Sequence, residues 1–203
     1  METGRGTNEL DVMELDVVDA ERARLFALLG RLLAAAPDGT LLGQLRLLRG
    51  DASELGAAYA GLQKAADITP EAVEREYFDL FIGVGRGELL PYASYYLTGF
   101  LHERPLADLR GELKRLGVER APGVSDPEDH IAFVCETYAG LVTGAFPADP
   151  AEARSFFARH MRPWAGRFFG DLEAAGTARF YRAVGTLGRI AVEIETAASE
   201  LPD

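Results

Sequence analysis

One helix-start signature is written twice in this chain, as Thr69-Pro70-Glu71 and as Asp126-Pro127-Glu128-Asp129. Each offers a capping oxygen, a proline at the first helical position where its missing N–H costs nothing, and an acid facing the positive end of the helix dipole. In the second, an acid also falls three residues after the cap. Between such starts the apolar residues recur at helical spacing. Leu25, Phe26, Leu28, Leu29, Leu32 and Leu33 form one stripe, from a cap expected at Asp19 to a stop at Pro37-Asp38-Gly39. Thr40 is expected to cap a short helix, and residues 53–66 and 70–81 read as two more. Residues 92–101 and a helix opened by Pro105 and ended by Gly117 follow. Ile131, Val134, Cys135, Tyr138, Leu141 and Val142 mark the stripe behind the second start. Phe146-Pro147 should close that helix and Asp149-Pro150 open the next. Pro163 and Phe180 lead the last two. Nothing alternates as a strand would, so the expected architecture is all-α, a single-domain multi-helix bundle over residues 18–203 behind a flexible N-terminal tail of residues 1–17.

Charge and cysteine usage narrow the function classes. With 21 basic and 32 acidic residues the chain carries a formal −11, which repels phosphate backbones and anionic lipid heads. No nucleic-acid partner is expected, and Arg110, Lys114 and Arg115 read as a solvated helix face. A basic partner, such as an arginine-bearing peptide, is the complementary expectation. The single cysteine, Cys135, asks for no oxidising compartment. The acidic N-terminus is unlike a signal peptide, and no run approaches a bilayer span, so a cytoplasmic protein without stable membrane insertion is expected.

The richest stretch for a site is residues 76–99, where Tyr77, Phe78, Phe81, Tyr92, Tyr95 and Tyr96 flank the break Gly83-Val84-Gly85-Arg86-Gly87. Aromatic side chains around a flexible loop suit an apolar ligand. The glycines do not read as a phosphate loop, because a helix precedes them and no Lys-Ser or Lys-Thr pair follows. His102, His130 and His160 match no metal-ligand spacing. Cys135 falls on the apolar stripe and reads as a small core residue, and Ser94 has no local motif to activate it as a nucleophile. For Asp129-His130 the residue types favour a capping-box acid followed by a surface or half-buried histidine. Trp164 and the Phe156-Phe157 pair read as core.

Three pieces in order resemble the TorD/DmsD/NarJ family of redox-enzyme maturation chaperones. They are Glu76-Tyr77-Phe78-Asp79-Leu80-Phe81 running on to Pro91-Tyr92-Ala93-Ser94-Tyr95-Tyr96; then Asp126-Pro127-Glu128-Asp129-His130-Ile131; and Phe156-Phe157, His160, Pro163-Trp164, Phe168 and Tyr181. The resemblance implies an all-helical, non-enzymatic, system-specific chaperone. Such proteins bind the twin-arginine signal peptide or the apo-form of a molybdopterin oxidoreductase catalytic subunit and assist cofactor insertion before export. By residue matching, client contact falls to Tyr77, Leu80, Phe81, Pro91, Tyr92, Ser94, Asp129 and His130. Tyr77 and Tyr92 stand where some relatives have tryptophan. Asp79, Glu88 and Asp129 are the acids expected to pair with the peptide's arginines.

The resemblance implies no cofactor beyond the weak guanine-nucleotide binding associated with some members, for which only the glycine loop offers a hint. The client type stays open among formate dehydrogenase and the dimethyl sulfoxide, trimethylamine N-oxide and nitrate reductases, with a slight lean, on no physical ground, to a formate dehydrogenase-like one. The state expected is a monomer or a domain-swapped dimer hinged at residues 83–87 or 120–125. The alternatives are a metal-dependent helical hydrolase using Asp129 and His130, and a helical adaptor without a signal-peptide role.

Overall fold

In the computed structural model, the described backbone covers residues 6–120, 123, 125–146, 148–149 and 151–200, with side chains described from Val17 onward within those ranges. Among them are ten α-helices: α1 (Gly6–Ala34), α2 (Gly39–Leu45), α3 (Glu54–Ala65), α4 (Pro70–Tyr77), α5 (Ala93–Thr98), α6 (Arg104–Leu116), α7 (Ile131–Val142), α8 (Ala151–Phe156), α9 (Ala165–Ala174) and α10 (Phe180–Ser199). Two π-helical turns, Phe78–Ile82 and Phe157–Met161, extend α4 and α8.

The start signatures have different outcomes. Thr69 caps α4 through its side chain, accepting from the Ala72 N–H, with Pro70 in the first turn. Asp38, rather than Thr40, caps α2, accepting from the Leu41 N–H at 2.8 Å. Asp19 is no cap: α1 begins at Gly6, so most of the stretch expected as a tail has helical backbone, and Asp19 lies inside it, paired with Arg22. No proline interrupts residues 6–34, so nothing in the sequence forces a stop there. Residues 1–5, and the turn and closing roles expected of Ala121, Pro122, Pro147 and Pro150, lie outside the described residues.

Helix α10 is the hub, packing against α9, α3, α1 and α4, while α1 lies along α7. The α9–α10 contact is set by size at one position. A Cβ on Gly188 would stand 2.1 Å from the Phe169 ring, so only glycine admits that ring. Trp164, Tyr138, Tyr181, Phe26, Phe156, Phe157 and Phe168 fill the core as aromatic bulk. Two buried carboxylates bind elements together. Glu195 on α10 takes Arg22 of α1 at 2.5 Å, and Arg22 also donates to the Tyr138 hydroxyl. Glu112 on α6 lies 2.8 Å from His160 Nε2 and 2.6 Å from Arg159. The basic residues expected as a solvated face are in part paired: Arg110 to Glu128, and Arg115 to Glu152 through both of its terminal nitrogens at 2.7 Å.

Candidate functional site

The stretch at residues 76–99 and the element at residues 126–131 meet through their backbones. Tyr92 and His130 form an isolated antiparallel bridge. Ala93 N–H donates to Asp129 O at 2.9 Å, and Ile131 N–H donates to Pro91 O at 2.8 Å. This pairing holds His130 in extended conformation, φ −65° and ψ 136°. It therefore overrides the helix start expected at Asp126-Pro127. Helix α7 begins after His130, whose Nδ1 accepts from the Ala132 N–H at 3.2 Å and so serves as the cap.

Asp129 is not a capping-box acid. It is 1% exposed, and its Oδ2 accepts from the Ser94 N–H at 2.9 Å. That bond joins α5 to the start of α7 inside the protein. Ser94 is fully buried, and its hydroxyl has no hydrogen-bond partner among the described residues.

A cavity of about 690 Å³ opens beside this junction. Tyr77 and the π-helical residues Phe78, Phe81 and Ile82 form one wall. The end of α1 at Ala34, with Pro37 and Pro70, forms another, and Pro91, Tyr92, Asp126 and His130 close it. Tyr77 stacks against Phe81 at 5.0 Å and donates its hydroxyl to the Ala34 carbonyl at 3.2 Å, fixing the α4 wall to the α1 wall. The Tyr92 hydroxyl donates to Asp126 at 3.0 Å, and its ring lies edge-on to His130 at 5.1 Å. The π-helical geometry shifts the side-chain register after Tyr77. Leu80 then points into the core, fully buried, while Phe78 and Ile82 are exposed.

Five of the eight residues expected from the resemblance therefore line one cavity: Tyr77, Phe81, Pro91, Tyr92 and His130. Leu80, Ser94 and Asp129 sit behind it in the interior. The acids expected to meet arginines are elsewhere. Asp79 lies outside the cavity wall. Glu88 accepts from the Gly176 and Thr177 N–H groups and the Thr177 hydroxyl, which lowers its pKa and occupies both of its oxygens. Tyr95 and Tyr96 also turn away, Tyr96 packing tilted against Trp164 and edge-on to Phe168. Sequence reasoning missed Asp126 as a cavity residue, having taken it for a helix cap. It also missed the wall at the end of α1, where Ala34 carries no signal and Pro37 reads only as a helix stop.

The glycine break has a local explanation. Gly83 has φ +61°, and a Cβ there would come within 2.1 Å of the Arg86 carbonyl oxygen. A Cβ on Gly87 would come within 2.5 Å of Phe81 backbone. The loop folds back so tightly that Leu89 N–H donates to Leu80 O at 2.8 Å, closing the π-helical turn.

Electrostatically the site favours neutral groups. Burial lowers the His130 pKa to about 4, against the opposing pull of Asp126 and Asp129. With Nδ1 accepting a backbone N–H, the neutral ring carries its proton on Nε2. Burial, with Asp126 nearby, pushes the Tyr77 phenol up to about 12. Among the described residues no group of three or more His, Cys, Asp or Glu side chains is placed to hold a metal ion. None of the described helices is long and apolar enough to cross a membrane.

Comparison with known proteins gives consistent matches. A family model described as nitrate reductase delta subunit matches residues 48–170. The chaperone protein YcdY of Escherichia coli is 30% identical over 131 residues, 64% of this chain and 66% of that protein. The chaperone protein TorD of Aliivibrio salmonicida is 28% identical over 119 residues, 54% of this chain and 55% of its own length. TorD of Shewanella loihica is 28% identical over 198 residues, 92% of this chain and 84% of that protein. A crystal structure described as a redox enzyme maturation protein from Archaeoglobus fulgidus shares the fold, with a TM-score of 0.58 at 22% identity, over 85% of this chain and 93% of that one.

Proposed function

This chain belongs to the nitrate reductase delta subunit family, the TorD/DmsD/NarJ group of redox-enzyme maturation chaperones, and on that premise we propose that it is a cytoplasmic chaperone for a molybdopterin oxidoreductase. It binds the twin-arginine signal peptide of the apo-enzyme and assists cofactor insertion before export. The observation that carries the reading is the cavity of about 690 Å³ in which Tyr77, Phe81, Pro91, Tyr92 and His130 converge from separate segments. Its walls are largely aromatic, proline and alanine, a surface suited to an apolar helix or extended segment. Burial of apolar side chains would supply the affinity, and nearby carboxylates the preference for basic residues. The proposal assigns no catalysis and no cofactor to the chain.

A hydrolase built on Asp129 and His130 gains no support from the geometry. The Asp129 carboxylate is buried against Ser94, and Nδ1 of His130 is held by the α7 backbone. Which molybdopterin oxidoreductase is the client, formate dehydrogenase-like or another, is decided by recovery of the native client from cell extract. The peptide reading is tested by isothermal titration with a twin-arginine signal peptide, its arginine pair intact or replaced by lysines. Saturable binding, stronger with arginine, supports it, and absence of heat with both peptides removes it.

A further inference from the structure

The cavity does not end at His130. A second cavity, of about 350 Å³, shares Ala34, Asp126 and His130 with the first, so the two lie side by side at that junction. Their chemistry differs. The first is walled by Tyr77, Phe78, Phe81 and Ile82. The second adds Glu119 and Glu136 to the shared Asp126, beside the rings of Phe133 and Phe146. Glu119 and Glu136 have no hydrogen-bond or salt-bridge partner among the described residues. Arg120 also lines this compartment, but its guanidinium is turned to the loop, donating to the Asp126 carbonyl at 2.6 Å and to that of Ser125.

The junction carries an independent sign of a ligand. His130 is 7% exposed and lines both compartments. Its Nδ1 is occupied by the Ala132 N–H. The proton therefore sits on Nε2, which has no partner among the described residues. That N–H is reachable from the cavity and is free to donate to an acceptor on the occupant. A peptide carbonyl supplies one.

From these placements we infer that the groove binds a client peptide in one direction. The basic residues lie over Glu119 and Glu136, a backbone carbonyl accepts from His130 Nε2–H, and the following apolar segment lies against Tyr77, Phe81 and Ile82. This rests on the peptide-binding reading above and adds the acidic subsite and the polarity. The first compartment has acids of its own in Asp38 and Glu74, which makes it the rival position for the arginines. Asp38 is engaged by the Leu41 N–H as the α2 cap, which leaves Glu74 as the residue to test against.

The experiment uses the full chain and a synthetic peptide with two adjacent arginines followed by a leucine- and alanine-rich run. A second peptide has both arginines replaced by alanine. Titrations compare the wild type with Glu119→Gln/Glu136→Gln and with Glu74→Gln. The double variant should bind the arginine peptide about tenfold more weakly, as expected for two exposed charge pairs, and the alanine peptide as the wild type does. Glu74→Gln should match the wild type with both. A photo-crosslinker placed before the arginines should label the Glu119 and Glu136 side of the groove, and one at the end of the apolar run the Phe78 and Ile82 side. If the wild type binds neither peptide, the peptide-binding reading itself falls. If it binds, but Glu74→Gln carries the loss, the double variant is unchanged, or the crosslinks reverse, the peptide reading stands and the inferred polarity is overturned.

Discussion

Asp129 Oδ2 accepts the Ser94 N–H at 2.9 Å in a pocket where Asp129 is 1% and Ser94 0% exposed. That bond, beside the Tyr92–His130 bridge, is what brings two segments some 35 positions apart into one wall. Asp129→Ala would leave a buried N–H without a partner and should cost about 2 kcal/mol. Asp129→Asn retains an acceptor oxygen and should cost about half as much. Ser94→Ala removes a hydroxyl that has no partner among the described residues, so it should lie within about 0.5 kcal/mol of the wild type. Urea denaturation of the three variants, at matched m-values, measures the order. Equal losses for Asp129→Ala and Ser94→Ala would contradict it.

His130 gives the fold a pH dependence of known sign. In the unfolded chain the imidazole titrates near 6.5, and burial holds it at about 4 in the folded protein. Above pH 6.5 both states are neutral and nothing is lost. As pH falls from 6.5 to 4 the unfolded state takes up a proton that the folded state refuses, so stability declines across that window, by roughly 3 kcal/mol at its lower end. His130→Asn keeps a capping acceptor but cannot titrate. The difference in unfolding free energy between wild type and His130→Asn, followed from pH 7.5 to pH 4, isolates this residue from the carboxylates. It should change by about 3 kcal/mol, and two parallel curves would rule the mechanism out.

What could be read from the chain before its folding follows from the range of the forces involved. Thr69-Pro70 gave the right start for α4 because a cap and an N-terminal proline act within one turn. Trp164 and the Phe156-Phe157 pair were legible as core because large aromatic side chains are seldom left in water, and all three are buried. Asp126-Pro127 misled because a backbone bridge to Tyr92, contributed from far away in sequence, outweighs a local cap. Glu88 misled likewise, its carboxylate being taken by Gly176 and Thr177, some 88 positions on. Of the cavity, the aromatic wall was legible and the α1 wall was not, since Ala34 and Pro37 acquire a role only through what packs beside them.

Glu76, the first residue of the aromatic stretch, belongs to the start of α10. Arg179, at the cap position, makes no capping side-chain bond. Glu76 substitutes for it from α4, accepting from the Arg179 and Tyr181 N–H groups at 2.8 Å and from that of Phe180 at 3.1 Å. One carboxylate thus satisfies three of the orphan donors and sets a negative charge against the helix dipole. Glu76→Gln replaces one acceptor oxygen with a donor that faces N–H groups, and should cost about 2 kcal/mol. Glu76→Ala should cost about 3 kcal/mol. Thermal and urea unfolding report the loss. Faster amide exchange confined to the first turn of α10 would assign it to the cap, and uniform exchange along α10 would not.

Gly188 and Gly170 make opposite predictions within one helix pair. Both are helical, on α10 and α9, and both carry the entropic penalty of glycine in a helix. They differ in the space around them. A Cβ on Gly188 would meet Phe169 ring atoms at 2.1–2.5 Å, and that ring is fully buried with no room to retreat. A Cβ on Gly170 meets nothing within 4 Å. Gly188→Ala should therefore destabilise by about 2–3 kcal/mol, overpacking outweighing the gain in helix propensity. Gly170→Ala should stabilise by up to about 1 kcal/mol, propensity acting alone. The pair is self-controlling, because helix propensity alone predicts the same sign for both. Opposite shifts in the urea midpoint, at unchanged m-value, place the difference in the α9–α10 contact, whereas stabilisation by both would mean the helices can separate around Phe169 at no cost.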